Sequence, residues 1–149
     1  KSQFSGTFSK NWIVPMATVL NNLGTERAWV VHGSDGLDEL TTTGPSFVAE
    51  LKDGEIKTFE VSPEDAGITR TKPENLKGGD PDANARALNA VLNGEPGPYR
   101  DVVLYNSAAA LLIANKADDL KDGSAQAASA IDNGNALKAL ESLITITNL

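Results

Sequence analysis

Cysteine is absent from this 149-residue chain, and histidine and methionine each occur once. Without cysteine there is no disulfide and no thiolate metal site, a composition that fits a reducing cytoplasm. With His32 as the one imidazole, zinc sites of ordinary ligand composition cannot be assembled either. Lys and Arg number 13 against 20 Asp and Glu, for a formal charge of −7, and no local basic run offsets this. The electrostatic footprint of a nucleic-acid binder is therefore missing. Long apolar runs are missing too: the most continuous, Ala108–Ala114, is far too short to span a bilayer. No signal-peptide pattern opens the chain, so the expectation is a soluble cytoplasmic protein.

Apolar residues at 40% and charged residues at 22% describe a globular chain, long enough for one domain with a real core. It opens at Lys1, and Met16 falls inside a helical pattern. It therefore reads as a piece of something longer, or a product cleaved from it.

The most informative segment is Ala28–Leu40, AWVVHGSDGLDEL. Four apolar residues, Ala28 to Val31, have the look of a buried parallel strand, and His32–Gly33 ends them. A glycine-containing turn then delivers two adjacent acids, Asp38 and Glu39. Ligands of α/β proteins collect outside the carboxyl ends of such strands. In an acidic chain an Asp–Glu pair is ordinary turn chemistry, but here it comes directly after the strand. Mg2+ favours one or two carboxylates plus phosphate oxygens, so the pair is the candidate metal site of a phosphorylated substrate. His32 is read as a packed, hydrogen-bonded residue. Neither phosphate-loop fingerprint occurs, and no serine lies in a G-x-S-x-G elbow, so Lys77–Asp80 is read as the lead-in to a helix.

Around this segment the pattern predicts α/β organisation. Ser2–Phe8 is an edge or entering strand. Asn11 caps a helix to Leu23 with Ile13, Met16, Val19, Leu20 and Leu23 inward and Trp12 in the core. Phe47–Leu51 and Ile56–Val61 flank Asp53–Gly54 as a β-hairpin. Pro63–Gly79 is a polar surface connection. Asp80 caps a helix over 83–92 with Ala87, Leu88 and Val91 on one side, and Asp101 caps a buried helix over 102–116. Asp119 caps a third to Asp132, and Ala136–Ile144 forms the last, with Leu137, Leu140, Leu143 and Ile144 inward. Asn106 stands out as a polar residue on the buried helix, either a satisfied core amide or a pocket residue.

VVHGSDGLDELTTTGP (Val30–Pro45), VAELKDGEI (Val48–Ile56), PEDAGI (Pro63–Ile68), the run Leu76–Leu111 and IDNGNALKALESL (Ile131–Leu143) occur here in fixed order. Together they resemble the C-terminal half of anthranilate phosphoribosyltransferases, over essentially the whole chain. The resemblance implies part of a nucleoside phosphorylase/phosphoribosyltransferase-like large domain. Its sheet would be mixed and mostly parallel, flanked by helices, with a helix-rich C-terminal half. Residues 1–149 would be the C-terminal portion of one α/β domain, lacking the N-terminal helical domain and the first half of the α/β domain.

The resemblance also implies Mg2+ as cofactor, with Glu39 touching two magnesium ions and Asp38 one of them. Phosphoribosyl diphosphate and anthranilate would be the substrates, the missing N-terminal half a partner, and the complete enzyme a homodimer. The family's glycine-rich diphosphate loop, its Lys-His-Gly-Asn motif and its anthranilate-binding arginine all precede the point matching Lys1, so the chain alone is expected to be inactive. Two other readings are a pyrimidine nucleoside phosphorylase-type segment and a non-enzymatic binding domain that keeps the fold.

Overall fold

The computed structural model describes residues 1–148. Four strands form one sheet in the order β1 (Ser2–Gly6), β2 (Arg27–Gly33), β3 (Ser46–Lys52), β4 (Glu55–Val61). β1 and β2 pair parallel, while β3 is antiparallel to both β2 and β4. The sheet is thus mixed, with three strands running one way and β3 reversed. Helix α1 (Ile13–Asn22) connects β1 to β2. Four further helices come after the sheet: α2 (Pro81–Leu92), α3 (Pro98–Ile113), α4 (Leu120–Asp132) and α5 (Asn135–Thr147).

The unbroken apolar run of β2 has a direct cause: the strand is covered on both sides. Ala28 and Val30 join Ala49 and Leu51 of β3 beneath Ile13, Ala17 and Leu20 of α1. Trp29 and Val31 join Val48 and Val61 on the opposite face, against Leu104, Tyr105, Ala108 and Ala109 of α3. α4 seals that second layer from outside with Leu120, Ala127 and Ile131. Gly123 lets α4 approach α3, because a Cβ there would stand 2.8 Å from the Ala108 Cα.

Several boundaries differ from the sequence reading. The helical segment before β2 is capped by Ser9, whose hydroxyl accepts from the Asn11 amide, and one 3-10 turn precedes α1. α1 buries Ile13, Ala17 and Leu20, while Trp12, Met16, Val19 and Leu23 are exposed. The helix carries two apolar stripes, and the sheet takes the one with the small Ala17 at its centre. α3 begins at Pro98 rather than after Asp101, since Gly97 turns the chain and proline suits the first helical position. Asp101 lies inside its first turn. Ala110 and Ala114 are exposed, so α3 is covered on its sheet and α4 sides without being enclosed all round. Leu88 of α2 and Leu143 and Ile144 of α5 are exposed rather than inward, because α2 and α5 touch the body along narrow strips. The connection Pro63–Gly79 is less polar in practice: two 3-10 turns lie within it, and Pro63, Ala66 and Ile68 are buried. The Asp80 cap and the Asp53–Gly54 hairpin form as the sequence predicts.

Candidate functional site

β1 and β2 end side by side, at Gly6 and Gly33, and the segment from Ser34 to Pro45 emerges from that edge. Asp38 and Glu39 sit in the middle of it. The backbone of Asp38 lies directly on Gly6; a Cβ on Gly6 would fall 1.5 Å from the Asp38 carbonyl oxygen. That contact presses the acid-bearing stretch against the carboxyl end of β1.

Three groups hold the rest of the loop. The Asp35 carboxylate accepts from the Thr41 hydroxyl at 2.6 Å and the Thr43 hydroxyl at 2.7 Å, and from the Leu37 amide at 3.3 Å. Burial by itself would raise the pKa of Asp35, but those hydroxyls and the amide outweigh it and hold the carboxyl below its ordinary value. Asn106 reaches in from α3. Its Oδ1 accepts from the Leu40 amide and its Nδ2 donates to the Leu40 carbonyl, both at 2.9 Å. The same Nδ2 donates to the Val102 carbonyl one turn back, so the amide is locked in one orientation. Ser46 accepts from the Thr41 amide through its hydroxyl at 2.9 Å.

Asp38 is exposed and Glu39 half-buried. Burial, then the charge of Asp38, then that of Asp35, push Glu39 above its ordinary carboxyl value. Three carboxylates thus crowd one loop. Among the described residues neither Asp38 nor Glu39 forms an ion pair with a basic side chain. Nor does any group of three or more His, Cys, Asp or Glu among them form a ready-made metal cage. Two unpaired, mutually repelling carboxylates fit a hard cation that takes its remaining ligands from substrate phosphate and water. Asp35 does not offer itself in the same way, since two hydroxyls already occupy it.

His32 is a positioned residue. Its Nδ1–H donates to the Thr7 carbonyl at 2.8 Å, and its ring stacks on Phe47, centroids 6.5 Å apart. Lys10 Nζ lies 3.4 Å from the centre of the Phe47 ring. Sequence reading located Asp38 and Glu39 and singled out Asn106, but missed Asp35 and Gly6. The Asp-Gly start of the loop and the threonine run Thr41–Thr43 were the available signal for Asp35. Nothing local signals Gly6.

A mixed sheet with helices on both faces and an acidic loop at the carboxyl ends of two parallel strands defines an α/β protein, with its candidate site at the edge where ligands of such folds collect. The chain belongs to the glycosyl transferase family, whose a/b domain matches residues 1–137. It is 58% identical over 148 residues to the anthranilate phosphoribosyltransferase of Bradyrhizobium diazoefficiens, a match spanning 99% of this chain and 44% of that protein. Among solved structures, the anthranilate phosphoribosyltransferase of Thermus thermophilus aligns with a TM-score of 0.86 and 37% identity, over 97% of this chain and 42% of that one. The Saccharomyces cerevisiae enzyme in complex with PRPP and Mg aligns at 0.90 and 27%, over 100% and 43%. The chain spans somewhat under half the length of these relatives.

Proposed function

We propose that this chain is the C-terminal portion of the α/β domain of an anthranilate phosphoribosyltransferase. It would contribute the acidic pair that holds Mg2+ against the diphosphate of phosphoribosyl diphosphate. The carrying observation is the loop itself: Asp38 and Glu39 lie unpaired at the carboxyl ends of parallel strands, in a chain 58% identical to an enzyme of that name. The Mg-bound yeast relatives support the metal, and the PRPP complex supports the substrate. The whole protein would be a cytoplasmic homodimer; among the described residues no helix is long and apolar enough to cross a membrane.

In the reaction the anthranilate amine nitrogen forms a bond to the ribose anomeric carbon, and the bond from that carbon to the diphosphate oxygen breaks. The amine proton is lost to solvent or a base. When bound, Mg2+ supplies charge neutralisation of the departing diphosphate. Asp38 and Glu39 would hold it. Asp35, through Thr41 and Thr43, and Asn106, through Leu40, keep those ligands from swinging as charge moves to the leaving group. Such preorganisation lowers the barrier because it costs no rearrangement at the moment of bond cleavage.

The test replaces the matching segment of the Bradyrhizobium enzyme with this chain and monitors loss of anthranilate fluorescence with phosphoribosyl diphosphate. The expected result is turnover that falls at least tenfold at limiting Mg2+ in Asp38→Asn and Glu39→Gln. Melting temperature should stay level or rise, because each change relieves repulsion. An inactive chimera that folds, or variants indistinguishable from the parent at limiting Mg2+, would overturn the reading.

A further inference from the structure

His32, Phe47 and Lys10 form a stack that the proposed reaction does not use. The His32 ring lies nearly parallel to Phe47, with 15° between the planes, and is itself pinned through Nδ1 to the Thr7 carbonyl. Lys10 Nζ sits 3.4 Å from the centre of the Phe47 ring. A cation over an aromatic face is attracted by the ring quadrupole, so a flexible lysine is held in one place. Lys10 there forms part of the wall of a cleft of about 480 Å³, between the turn leading into α1 and strands β3 and β4. That volume is in the range of small-molecule sites.

Sheet register decides what lines the cleft. Phe47 stands opposite Glu60 and Ala49 opposite Thr58, and Ala49 packs beneath α1. Alternate residues share a face, so Phe47, Thr58 and Glu60 all lie on the side of the sheet that α1 covers. Lys10, Asn11 and Val14 border the cleft from the helix side. Among the described residues neither Lys10 nor Glu60 enters an ion pair. One cleft therefore carries an ammonium from the helix side, a carboxylate from the sheet side, and apolar surface from Val14 and the rim of Phe47.

That combination selects the ligand by charge. An anion alone meets Glu60, a cation alone meets Lys10, and an uncharged apolar molecule pairs with neither. A molecule carrying both an ammonium and a carboxylate pairs with each. We infer that this cleft binds a free amino acid with an apolar side chain. Its carboxylate takes the Lys10 ammonium and the Asn11 amide, its ammonium takes the Glu60 carboxylate and the Thr58 hydroxyl, and its side chain lies against Val14 and Phe47. The stacked ring and the lysine above it are ordered beforehand, which lowers the entropy lost on binding. The cleft includes no residue of the acidic loop, so the inference stands independently of the functional reading.

The experiment titrates the chain calorimetrically with L-phenylalanine, with hydrocinnamate, which lacks the ammonium, and with phenethylamine, which lacks the carboxylate. Phenylalanine should bind saturably, one per chain, and the other two at least tenfold more weakly. Lys10→Gln and Glu60→Gln should each weaken phenylalanine binding at least tenfold, while Lys10→Arg keeps it. Lys57→Gln, on the opposite face of β4, should leave it unchanged. All three positions are solvent-exposed, and far-UV circular dichroism confirms that each variant folds. No saturable heat with phenylalanine at millimolar concentration, equal binding of hydrocinnamate or phenethylamine, or binding indifferent to Lys10→Gln and Glu60→Gln would each overturn the inference.

Discussion

Asp35–Gly36 and Asp53–Gly54 are the same dipeptide, and the chain uses them in opposite ways. At Asp53–Gly54 the backbone conformation makes the turn. Both residues take positive φ, 52° and 80°, and the strands close directly around them with Lys52 opposite Glu55. That is the geometry a two-residue hairpin requires, and the fold adds to it a 3.5 Å hydrogen bond from the Asn21 side chain to the Gly54 carbonyl. At Asp35–Gly36 only the glycine has positive φ, and the aspartate acts through its side chain, as the acceptor that gathers Thr41 and Thr43. The first turn joins two strands. The second opens a loop that tertiary contacts then hold, and those contacts make it able to present acids.

The comparison is broken most severely at the glycines. Gly6→Ala should cost about 3 kcal/mol, because the new methyl would stand where the Asp38 carbonyl now lies and one or the other must move. Gly54→Ala meets no neighbouring atom, and only its positive φ opposes it, for about 1 kcal/mol. Urea unfolding of both variants measures the gap. Equal costs would mean that the loop yields at Gly6 as easily as a hairpin turn.

A smaller effect is expected at the clamp. Asn106→Leu leaves the Leu40 amide and carbonyl without their partner and should cost about 2 kcal/mol. Hydrogen exchange at Leu40 should quicken in that variant, while exchange in the β3–β4 hairpin stays as it was.

The smallest effect is one of pH, and it divides the acids within the loop. Asp35 titrates below its ordinary value in the folded state, so its contribution to stability is present above the unfolded value and is lost as pH falls through the folded one. Glu39 titrates above its ordinary value, so stability declines as pH rises from the unfolded value through the folded one and is level beyond it. Asp35→Asn should therefore lose stability at neutral pH and converge on the parent in acid. Glu39→Gln should abolish the decline across the weakly acidic range. Stability curves for the two variants that bend the same way would contradict this account of the loop.

Much of the architecture was legible because it is local. The β3–β4 hairpin and the Asp80 and Asp119 caps depend on residues within three or four positions of one another. The acidic pair was legible for a related reason: a strand buried on both faces leaves an unbroken apolar run, and the residues just beyond such a run lie at the sheet edge. The fastening of that pair was not legible. Asn106 meets Leu40 across 66 residues of sequence, and Gly6 meets Asp38 only once the β1–β2 pairing exists. The inward face of α1 was misread for a comparable reason: the helix offers two apolar stripes, and periodicity alone does not choose between them.

Chemistry that depends on residue type and near spacing was determined by the sequence alone: the missing thiols, the acid excess, the apolar strand, and Asp38 and Glu39 close behind it. Only the tertiary structure decided which side of α1 is covered, how closely β1 bears on the acid loop, and which groups hold that loop still. Those outcomes depend on packing between segments distant along the chain. There, volume and hydrogen-bond partners are set by the arrangement of the whole sheet and its helices, and no single stretch of residues contains that information.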